Sequence, residues 1–203
     1  MVRLETARLI LSPLEIGDAE QAQLIFPQWE IVRFMNSRYI PWPYPADGAL
    51  AYYRDVALPA IERGEEWHWT LRLKGVPQLL IGSISLRKRE GHNRGFWLGL
   101  GWHGKGLMTE AVDAVTDYWF DVLGFPVLRA SKAAANVASR RISERTGMRV
   151  IVARYPQLAH LAPEMPAAVN QFARHHAVGK YQPFVINVLQ EQIQRRDVYV
   201  SVC

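Results

Sequence analysis

The residues best suited to chemistry lie in one short segment, Gly101-Trp-His-Gly-Lys-Gly-Leu-Met-Thr-Glu110. Glycines at positions 101, 104 and 106 allow positive φ and let the backbone approach a ligand closely. Amide N–H groups in such a turn, together with the free N–H groups of a following helix, form a site for an anion. Lys105 adds a positive charge and Thr109 offers a hydroxyl. The pattern indicates a diphosphate site, and a glycine turn without any ligand is the open alternative.

Two other diphosphate motifs do not fit this segment. The dinucleotide fingerprint needs G-x-G-x-x-G early in a parallel βαβ unit, and these glycines are spaced differently. The P-loop ends in Gly-Lys-Ser/Thr, whereas Lys105 is followed by Gly106. The segment therefore belongs to another kind of anion site.

Strands before the segment and a helix after it must position these residues. Apolar and polar residues alternate over 67–73, which predicts a half-buried strand. Further strands over 79–87 and 94–100, after turns at 75–77 and 91–93, complete an antiparallel meander. A helix over 106–123, ended by Gly124, has one apolar face formed by Met108, Ala111, Val112, Val115, Trp119 and Val122.

Shorter elements flank this centre. A first strand is expected over 6–11, stopped by Ser12-Pro13, and then a helix capped by Asp18. The other expected elements are a short helix over 30–36, an irregular proline-rich stretch over 40–45, a helix from Asp47 to Arg63 that Pro59 bends or shortens, a strand over 126–130, a helix over 136–146 ended by Gly147, a strand over 148–153, a helix over 163–176 and a closing strand over 197–202.

Composition fits a globular domain. The 203 residues are 49% apolar and carry a net charge of +5, with basic residues scattered as on an ordinary solvated surface. No apolar run reaches the roughly 18 residues that a membrane span needs, and the first residues do not form a secretion signal, which together indicate a cytoplasmic protein. Cys203 is the only cysteine, so neither an internal disulfide nor a cysteine-based metal site is expected, and we predict no metal.

Three stretches, taken in order, resemble a known family. Gly104-Lys-Gly-Leu-Met-Thr-Glu-Ala111 is similar to the acetyl-CoA motif of the GNAT superfamily, in the variant of its ribosomal-protein-alanine N-acetyltransferase branch. Glu5-Thr-Ala-Arg-Leu-Ile-Leu11 resembles that branch's opening strand. Asn136-Val-Ala-Ser-Arg-Arg-Ile-Ser-Glu-Arg-Thr-Gly-Met148 resembles its later helix. Gly101 stands where the superfamily usually has Gln or Arg, and the region after Arg154 replaces the usual closing hairpin.

The resemblance implies an α/β (α+β) fold with a mixed, mostly antiparallel central sheet of about 6–7 strands, flanked by helices and splayed at the cofactor site. Residues 1–154 would form the GNAT core and residues 155–203 an atypical extension that packs on or completes the same domain. The cosubstrate would be acetyl-CoA. The implied cofactor-binding residues are Leu98, Gly99, Leu100, Trp102, His103, Gly104, Lys105, Gly106, Leu107, Met108, Thr109 and Asn136.

Catalytic roles are less defined by the residues. Ser139 matches the position from which a hydroxyl can protonate the departing thiolate, and His68 is a candidate base that could face an acceptor cleft or only solvent. Asn136 could also be an ordinary helix cap. His92 is expected in an exposed turn, His103 could neutralise phosphate charge or pack, and Glu110 is expected to support the start of its helix.

The acceptor is the most open part of the prediction. Trp42 and Tyr44, in the proline-rich loop, are the candidate substrate-binding residues, because loops often carry such contacts. The resemblance favours the N-terminal amine of a protein. A small-molecule amine, such as an antibiotic or polyamine, and a non-catalytic acyl-CoA-binding module are the alternatives. We expect a monomer or homodimer without direct membrane or nucleic-acid binding.

Overall fold

Two antiparallel sheets carry the strands of this protein in a computed structural model, which describes residues 1–35, 40–133, 135–154 and 187–193. The first sheet has five strands in the order β1-β2-β3-β4-β5. These strands are β1 (Leu4–Glu5), β2 (Leu9–Pro13), β3 (Glu66–Leu73), β4 (Val76–Arg87) and β5 (Arg94–Leu98). The second sheet has three strands in the order β6-β8-β7, namely β6 (Val127–Ala133), β7 (Arg149–Arg154) and β8 (Asn187–Ile193).

Helices follow the same chain order between these strands. They are α1 (Asp18–Ile25), α2 (Trp29–Val32), α3 (Gly48–Tyr52), α4 (Leu58–Glu62), α5 (Leu107–Asp117) and α6 (Val137–Arg145). A π-helical turn over Tyr53–Ala57 joins α3 to α4, and another over Tyr118–Val122 extends α5. The helical stretch expected up to Arg63 therefore contains a wide turn just before Pro59, rather than a break.

Both faces of β3 are covered, which differs from the half-buried strand that alternation predicts. Successive side chains of a strand point to opposite faces. Trp69 is fully buried and contacts the ring of Tyr118 on the α5 side. His68, 2% exposed, lies on the other face beneath the ring of Tyr52. Helices therefore cover both faces of β3, and they bury polar residues that the alternating sequence pattern predicts to be exposed.

The expected apolar face of α5 is correct except at its end. Ala111, Val112 and Val115 are fully buried, whereas Val122 is 64% exposed. A π-helical turn inserts an extra residue per turn relative to the α-helix, so residues beyond it rotate away from the preceding apolar stripe. The turn over Tyr118–Val122 accounts for the misplaced valine.

Several element limits differ from the sequence predictions. The first strand is divided by a turn at Thr6–Arg8, and pairing continues through Ser12 and Pro13 on β2. The fourth strand starts at Val76 and includes Pro77. Asp18 does not cap α1: its Oδ2 accepts a hydrogen bond from the Glu15 N–H at 3.0 Å. The short helix expected over 30–36 is α2, and residues 36–39 lie outside the described part.

The two sheets meet through the turn before β5. The Asn93 N–H donates to the Arg129 carbonyl at 2.6 Å, and the Asn93 Oδ1 accepts from the Arg129 N–H at 2.7 Å. Ser131 adds a hydrogen bond from its N–H to His92 Nδ1 at 3.2 Å. Beyond this junction β5 and β6 belong to different sheets. The GNAT-like splay between two central strands is therefore part of the fold.

The second sheet brings a late segment of the chain into its centre. β8 pairs antiparallel with β6 on one side and with β7 on the other. The sequence prediction placed a closing strand at 197–202 and a helix at 163–176, both of which lie outside the described residues. The strand at 187–193 was not predicted from the sequence, and the limits of the two predicted domain parts remain predictions.

Candidate functional site

The glycine turn has the backbone geometry that its sequence predicts. Gly104 and Gly106 have φ of 73° and 74°, in the left-handed region that favours glycine. No atom lies within 4 Å of where a Cβ would stand at Gly101 or Gly104. A ligand could therefore approach the backbone here without meeting a side chain. Gly106 immediately precedes α5.

Backbone donors at this turn fall into two groups. The N–H groups of Trp102 and His103 are used within the turn, where they donate to the carbonyls of Gly99 and Leu100 at 3.0 and 3.1 Å. The N–H groups from Gly104 to Thr109 donate to no protein acceptor within the described residues. The first-turn donors of an eleven-residue helix and its glycine turn thus remain available to an anion. The anion site stays a prediction, and its candidate backbone donors are the N–H groups of residues 104–109.

The side chains of this stretch take different roles from its amides. Leu107 and Met108 are buried in the core, so only their backbone could reach a ligand. Lys105 turns back on its own loop, where Nζ donates to the Gly101 carbonyl at 2.8 Å. His103 Nε2 lies 2.7 Å from the Leu98 carbonyl and links the turn to the end of β5. The bond to Leu98 favours the packing role over the phosphate role that the sequence left open for His103.

Glu110 fastens the start of α5 to the first turn of the chain. Its Oε1 accepts from the Arg8 N–H at 2.7 Å and from the Thr6 hydroxyl, while its Oε2 accepts from Arg8 Nε at 2.7 Å. Burial on its own would raise the pKa of Glu110, but the hydrogen bonds from Thr6 and Arg8 outweigh it and lower the pKa below its usual range. The carboxylate is thus ionised and supports the helix start, as predicted.

The strand that leads into the turn ends earlier than predicted. β5 stops at Leu98, and Leu100–Trp102 forms a single 3₁₀ turn. The Gly99 N–H donates to the Ile81 carbonyl at 2.9 Å, so this donor is already used, and the cofactor contact expected of Gly99 stays a prediction. A Cβ on Gly99 would lie 2.8 Å from the Trp102 ring. Glycine is required here for close packing rather than for a free donor.

Asn136 begins α6 as its N-cap. Its Oδ1 accepts the Ser139 N–H at 3.1 Å, which is the capping geometry. The capping reading is therefore confirmed, and the side-chain NH₂ is the group left for a ligand. Ser139 is buried in the first turn of α6, and its catalytic role stays a prediction.

His68 belongs to a partly buried polar cluster on the opposite face from α5. His68 Nε2 lies 2.5 Å from Glu66 Oε2, and Arg87 Nε donates to the same oxygen at 3.2 Å. Burial lowers the pKa of His68, although Glu66 opposes this, and the ring is therefore neutral near pH 7. Burial would raise the pKa of Glu66, but His68 and Arg87 together lower it. Glu66 and Arg87 are partly exposed, whereas His68 is buried, so His68 faces neither open solvent nor an open cleft directly.

The two predicted acceptor residues lie on one loop but in different surroundings. Trp42 is 46% exposed and contacts the ring of Trp29, which is exposed to the same extent. Tyr44 packs edge-on against Phe26 and against the backbone of Gly48. Burial raises the pKa of Tyr44 to about 12. Trp42 is the more accessible of the two.

Sequence reasoning missed two buried cations near the junction of the sheets. Arg94 is fully buried and donates to Thr116 Oγ1 at 2.7 Å, while its Nε has no hydrogen-bond partner among the described residues. Lys132 is 8% exposed and lies on the same face of β6 as the buried Leu128 and Ala130. The signal that could have identified Lys132 is a charged residue on the face of a strand whose other residues are apolar.

The part of the chain that the structure describes contains neither of two further features. No helix there is long and apolar enough to cross a membrane. No group of three or more His, Cys, Asp or Glu side chains there could hold a metal ion.

Comparison with known proteins identifies the class to which this fold and this turn belong. The family model of the acetyltransferase (GNAT) domain matches residues 8–149, and the chain belongs to this family. It is 27% identical over 159 residues to "Probable N-acetyltransferase YjcK" of Bacillus subtilis, covering 71% of this chain and 82% of that protein. The chain is accordingly an acetyltransferase that uses acetyl-CoA as its acetyl donor.

Solved structures agree in fold. RimL, an alpha-N-protein acetyltransferase of ribosomal L7/L12 in complex with coenzyme A, superposes with a TM-score of 0.70 at 12% identity, over 97% of this chain and 100% of that one. The ribosomal-protein-S5-alanine acetyltransferase from Vibrio fischeri gives a TM-score of 0.68 at 14% identity, over 97% and 98% of the two chains. The predicted GNAT fold is confirmed by these likenesses.

Proposed function

We propose that this enzyme transfers the acetyl group of acetyl-CoA to the N-terminal amine of a protein. The observation that carries the cofactor half of the proposal is the row of unused N–H groups from Gly104 to Thr109 at the start of α5. Such a row suits the pyrophosphate of CoA, because it offers several donors and the positive end of a helix dipole to one anion.

The cofactor would extend from this turn toward the gap between β5 and β6. Leu98 and Leu100 supply backbone groups at the mouth of the gap, and the Asn136 amide supplies a donor from α6. Lys105 is held over the turn by the Gly101 carbonyl and adds positive charge beside the phosphates. These residues fit CoA because the turn leaves open space over Gly101 and Gly104.

The acceptor would enter from the face opposite α5. The exposed pair Trp29 and Trp42, with ring centroids 5.4 Å apart and ring planes tilted by 55°, offers an apolar surface to a peptide chain. Tyr44 supports the same loop from beneath. Similarity of the three sequence motifs to the ribosomal-protein-alanine N-acetyltransferase branch favours a protein N-terminus over a free small molecule.

An amine attacks a thioester only in its neutral form, so a proton must leave it. We assign this proton to the His68–Glu66 pair: the Glu66 carboxylate accepts it from the incoming ammonium, and the Nε2–H of the neutral His68 donates to that carboxylate and holds it in place. Ser139 is assigned to protonate the departing thiolate. Loss of a general acid or base of this kind typically reduces the rate by about 10²–10⁴-fold.

Calorimetric titration with acetyl-CoA tests the cofactor site. Gly104→Asp should abolish binding, since it places a carboxylate among the donors for the phosphates. Gly124→Asp is the matched control, because Gly124 has φ of 70° and equally open surroundings at the far end of the same helical stretch. Equal binding by both variants would contradict the assignment.

The acceptor is tested with radiolabelled acetyl-CoA and a cell lysate, separated into protein and small-molecule fractions. Label at protein N-termini is expected, and Trp42→Ala should raise the KM for such a protein severalfold while leaving acetyl-CoA binding unchanged. Label confined to small amines would overturn the protein acceptor and leave the acetyl-CoA site in place.

A further inference from the structure

Lys132 is a buried amine at the boundary between the two sheets. It lies on β6 near its end, 8% exposed, and its Nζ lies 4.2 Å from the centroid of the Phe96 ring on β5. The side chain therefore spans the gap where the two central strands belong to different sheets. A lysine in such a position is unusual, because lysine is rarely buried without a partner.

No carboxylate neutralises this amine in the described part of the chain. The charge that acts on this amine is that of Arg94, a fully buried guanidinium that remains charged at neutral pH. Burial, reinforced by the positive charge of Arg94, lowers the pKa of Lys132 to about 7. A large fraction of Lys132 is thus a neutral, nucleophilic amine at neutral pH, whereas an ordinary lysine with a pKa of about 10.4 is neutral in roughly one molecule in 2,000.

The position of Lys132 relates it to the cofactor turn. Phe96 and Leu98 are two residues apart on β5 and therefore point to the same face. The Leu98 carbonyl is bonded to His103 of the glycine turn. The same strand thus joins the glycine turn at Leu98 and contacts Lys132 at Phe96, two residues earlier. An arm that starts at residues 104–109 and follows β5 into the gap would approach the Lys132 amine.

We propose that Lys132 is an internal acetyl acceptor, which takes the acetyl group from acetyl-CoA bound in the gap between β5 and β6. This inference rests on the proposed cofactor site. The neutral Nζ forms a bond to the thioester carbonyl carbon, and the carbon–sulfur bond breaks. The proton lost from Nζ passes to the CoA thiolate, so the products are Nε-acetyl-Lys132 and CoA as free thiol.

Burial and charge favour this product. Acetylation converts an amine that can carry charge into an uncharged amide, and an unpaired buried charge is costly. It also removes one of two cationic groups that lie close together at the junction of the sheets. The modified side chain would occupy the gap beside Phe96, so the modified enzyme is expected to bind acetyl-CoA more weakly than the unmodified enzyme.

The test uses the purified full-length protein with acetyl-CoA and no added amine, followed by digestion and peptide mass spectrometry. Lys132 should become acetylated at neutral pH at least about tenfold faster than the exposed Lys74 and Lys88, in line with its larger neutral fraction. Lys132→Met removes this signal and keeps a side chain of similar length, and Lys88→Met is the matched surface control.

The variants separate this inference from the proposed function. Gly104→Asp should abolish modification of Lys132, while Gly124→Asp should not. If acetyl-CoA binds the wild type and Lys132 stays unmodified, or if Lys74 and Lys88 are modified equally fast, the inference is overturned and the cofactor site stands. If acetyl-CoA does not bind at all, the proposed cofactor site and the inference about Lys132 are both overturned. Modification of Lys132 that persists in Gly104→Asp would place the reaction outside the proposed site and also overturn the inference.

Discussion

The guanidinium of Arg8 and the carboxylate of Glu110 meet at 2.7 Å, although 102 residues separate them in the chain. Arg8 also donates from Nη1 to the Lys105 carbonyl at 2.9 Å, so the same side chain holds the glycine turn and the helix that follows it. The turn between β1 and β2 thereby acts as a clamp on the proposed phosphate site. The opening motif and the glycine motif of the sequence are two halves of one structural unit.

Removing this clamp should weaken both stability and cofactor binding. In Glu110→Ala, three hydrogen bonds to Thr6 and Arg8 are lost, and we expect the free energy of unfolding to fall by about 1–3 kcal/mol. The KM for acetyl-CoA should rise severalfold. Chemical denaturation and steady-state kinetics measure the two effects.

The control for this variant is Glu144→Ala, which removes an i,i+4 pair at 3.9 Å between the exposed Glu144 and the partly buried Arg140. A pair of this kind contributes about 0.3–0.5 kcal/mol. Equal losses from both variants would contradict the special role of Glu110.

The end of β5 should tolerate no side chain at Gly99. In Gly99→Ala the new Cβ would lie 2.8 Å from both the Trp102 ring and Ile25 Cγ2, so the 3₁₀ turn must shift. We expect a loss of about 1–3 kcal/mol in unfolding free energy and weaker acetyl-CoA binding. Gly17→Ala, just before α1 with φ of −64° and open space around it, should change neither by more than a small amount. Similar behaviour of both variants in denaturation and titration would refute the packing argument.

Two substitutions at Asn136 can separate its capping role from its proposed cofactor contact. Asn136→Ser keeps a hydroxyl that can accept the Ser139 N–H, whereas Asn136→Ala loses the cap and should cost about 1 kcal/mol of stability. Both variants lose the side-chain NH₂. If this group contacts the cofactor, Asn136→Ser should bind acetyl-CoA less tightly while unfolding like the wild type; unchanged affinity would restrict Asn136 to the cap.

His92 should make the junction of the two sheets sensitive to acid. Burial, together with the nearby charge of Arg87, lowers the pKa of His92 to about 3, and its Nδ1 accepts the Ser131 N–H. The unfolded chain has the ordinary value of about 6.5, so below that pH the unfolded state binds more protons than the folded state. Stability contributed here is complete above about pH 6.5 and is lost as the pH falls toward 3.

The measurement is the free energy of unfolding at pH 7 and pH 4.5. Because His92 is only partly buried, we expect the wild type to lose about 1–2 kcal/mol more than His92→Asn over this interval. The asparagine keeps an acceptor for the Ser131 N–H but has no group that titrates. Parallel pH curves for the two proteins would exclude His92 as the source of acid sensitivity.

The sequence predicted the glycine turn, the meander, and the helices that start near residues 107 and 137, because these depend on local signals. Positive φ at Gly104, the apolar spacing of α5 and the cap at Asn136 are all readable from neighbouring residues. Their placement required no knowledge of distant contacts.

What the sequence did not predict depends on partners far along the chain. His92 was expected in an exposed turn, but the second sheet covers it, and His68 is covered by Tyr52 from the helical segment before β3. Lys132 appeared as an ordinary basic residue until β5 placed Phe96 beside it. The early end of β5 follows from packing of Gly99 against Trp102, which alternation of residue types does not encode.

The strand order β6-β8-β7 has a consequence for synthesis on the ribosome. The five strands of the first sheet and the helix that follows the glycine turn are all translated before residue 118. β6 and β7 follow, yet neither gains its shared neighbour until residues 187–193 have been made. Translation that stopped at Arg154 would leave two strand edges without the partner that joins them, and such a nascent chain is a natural substrate for chaperones.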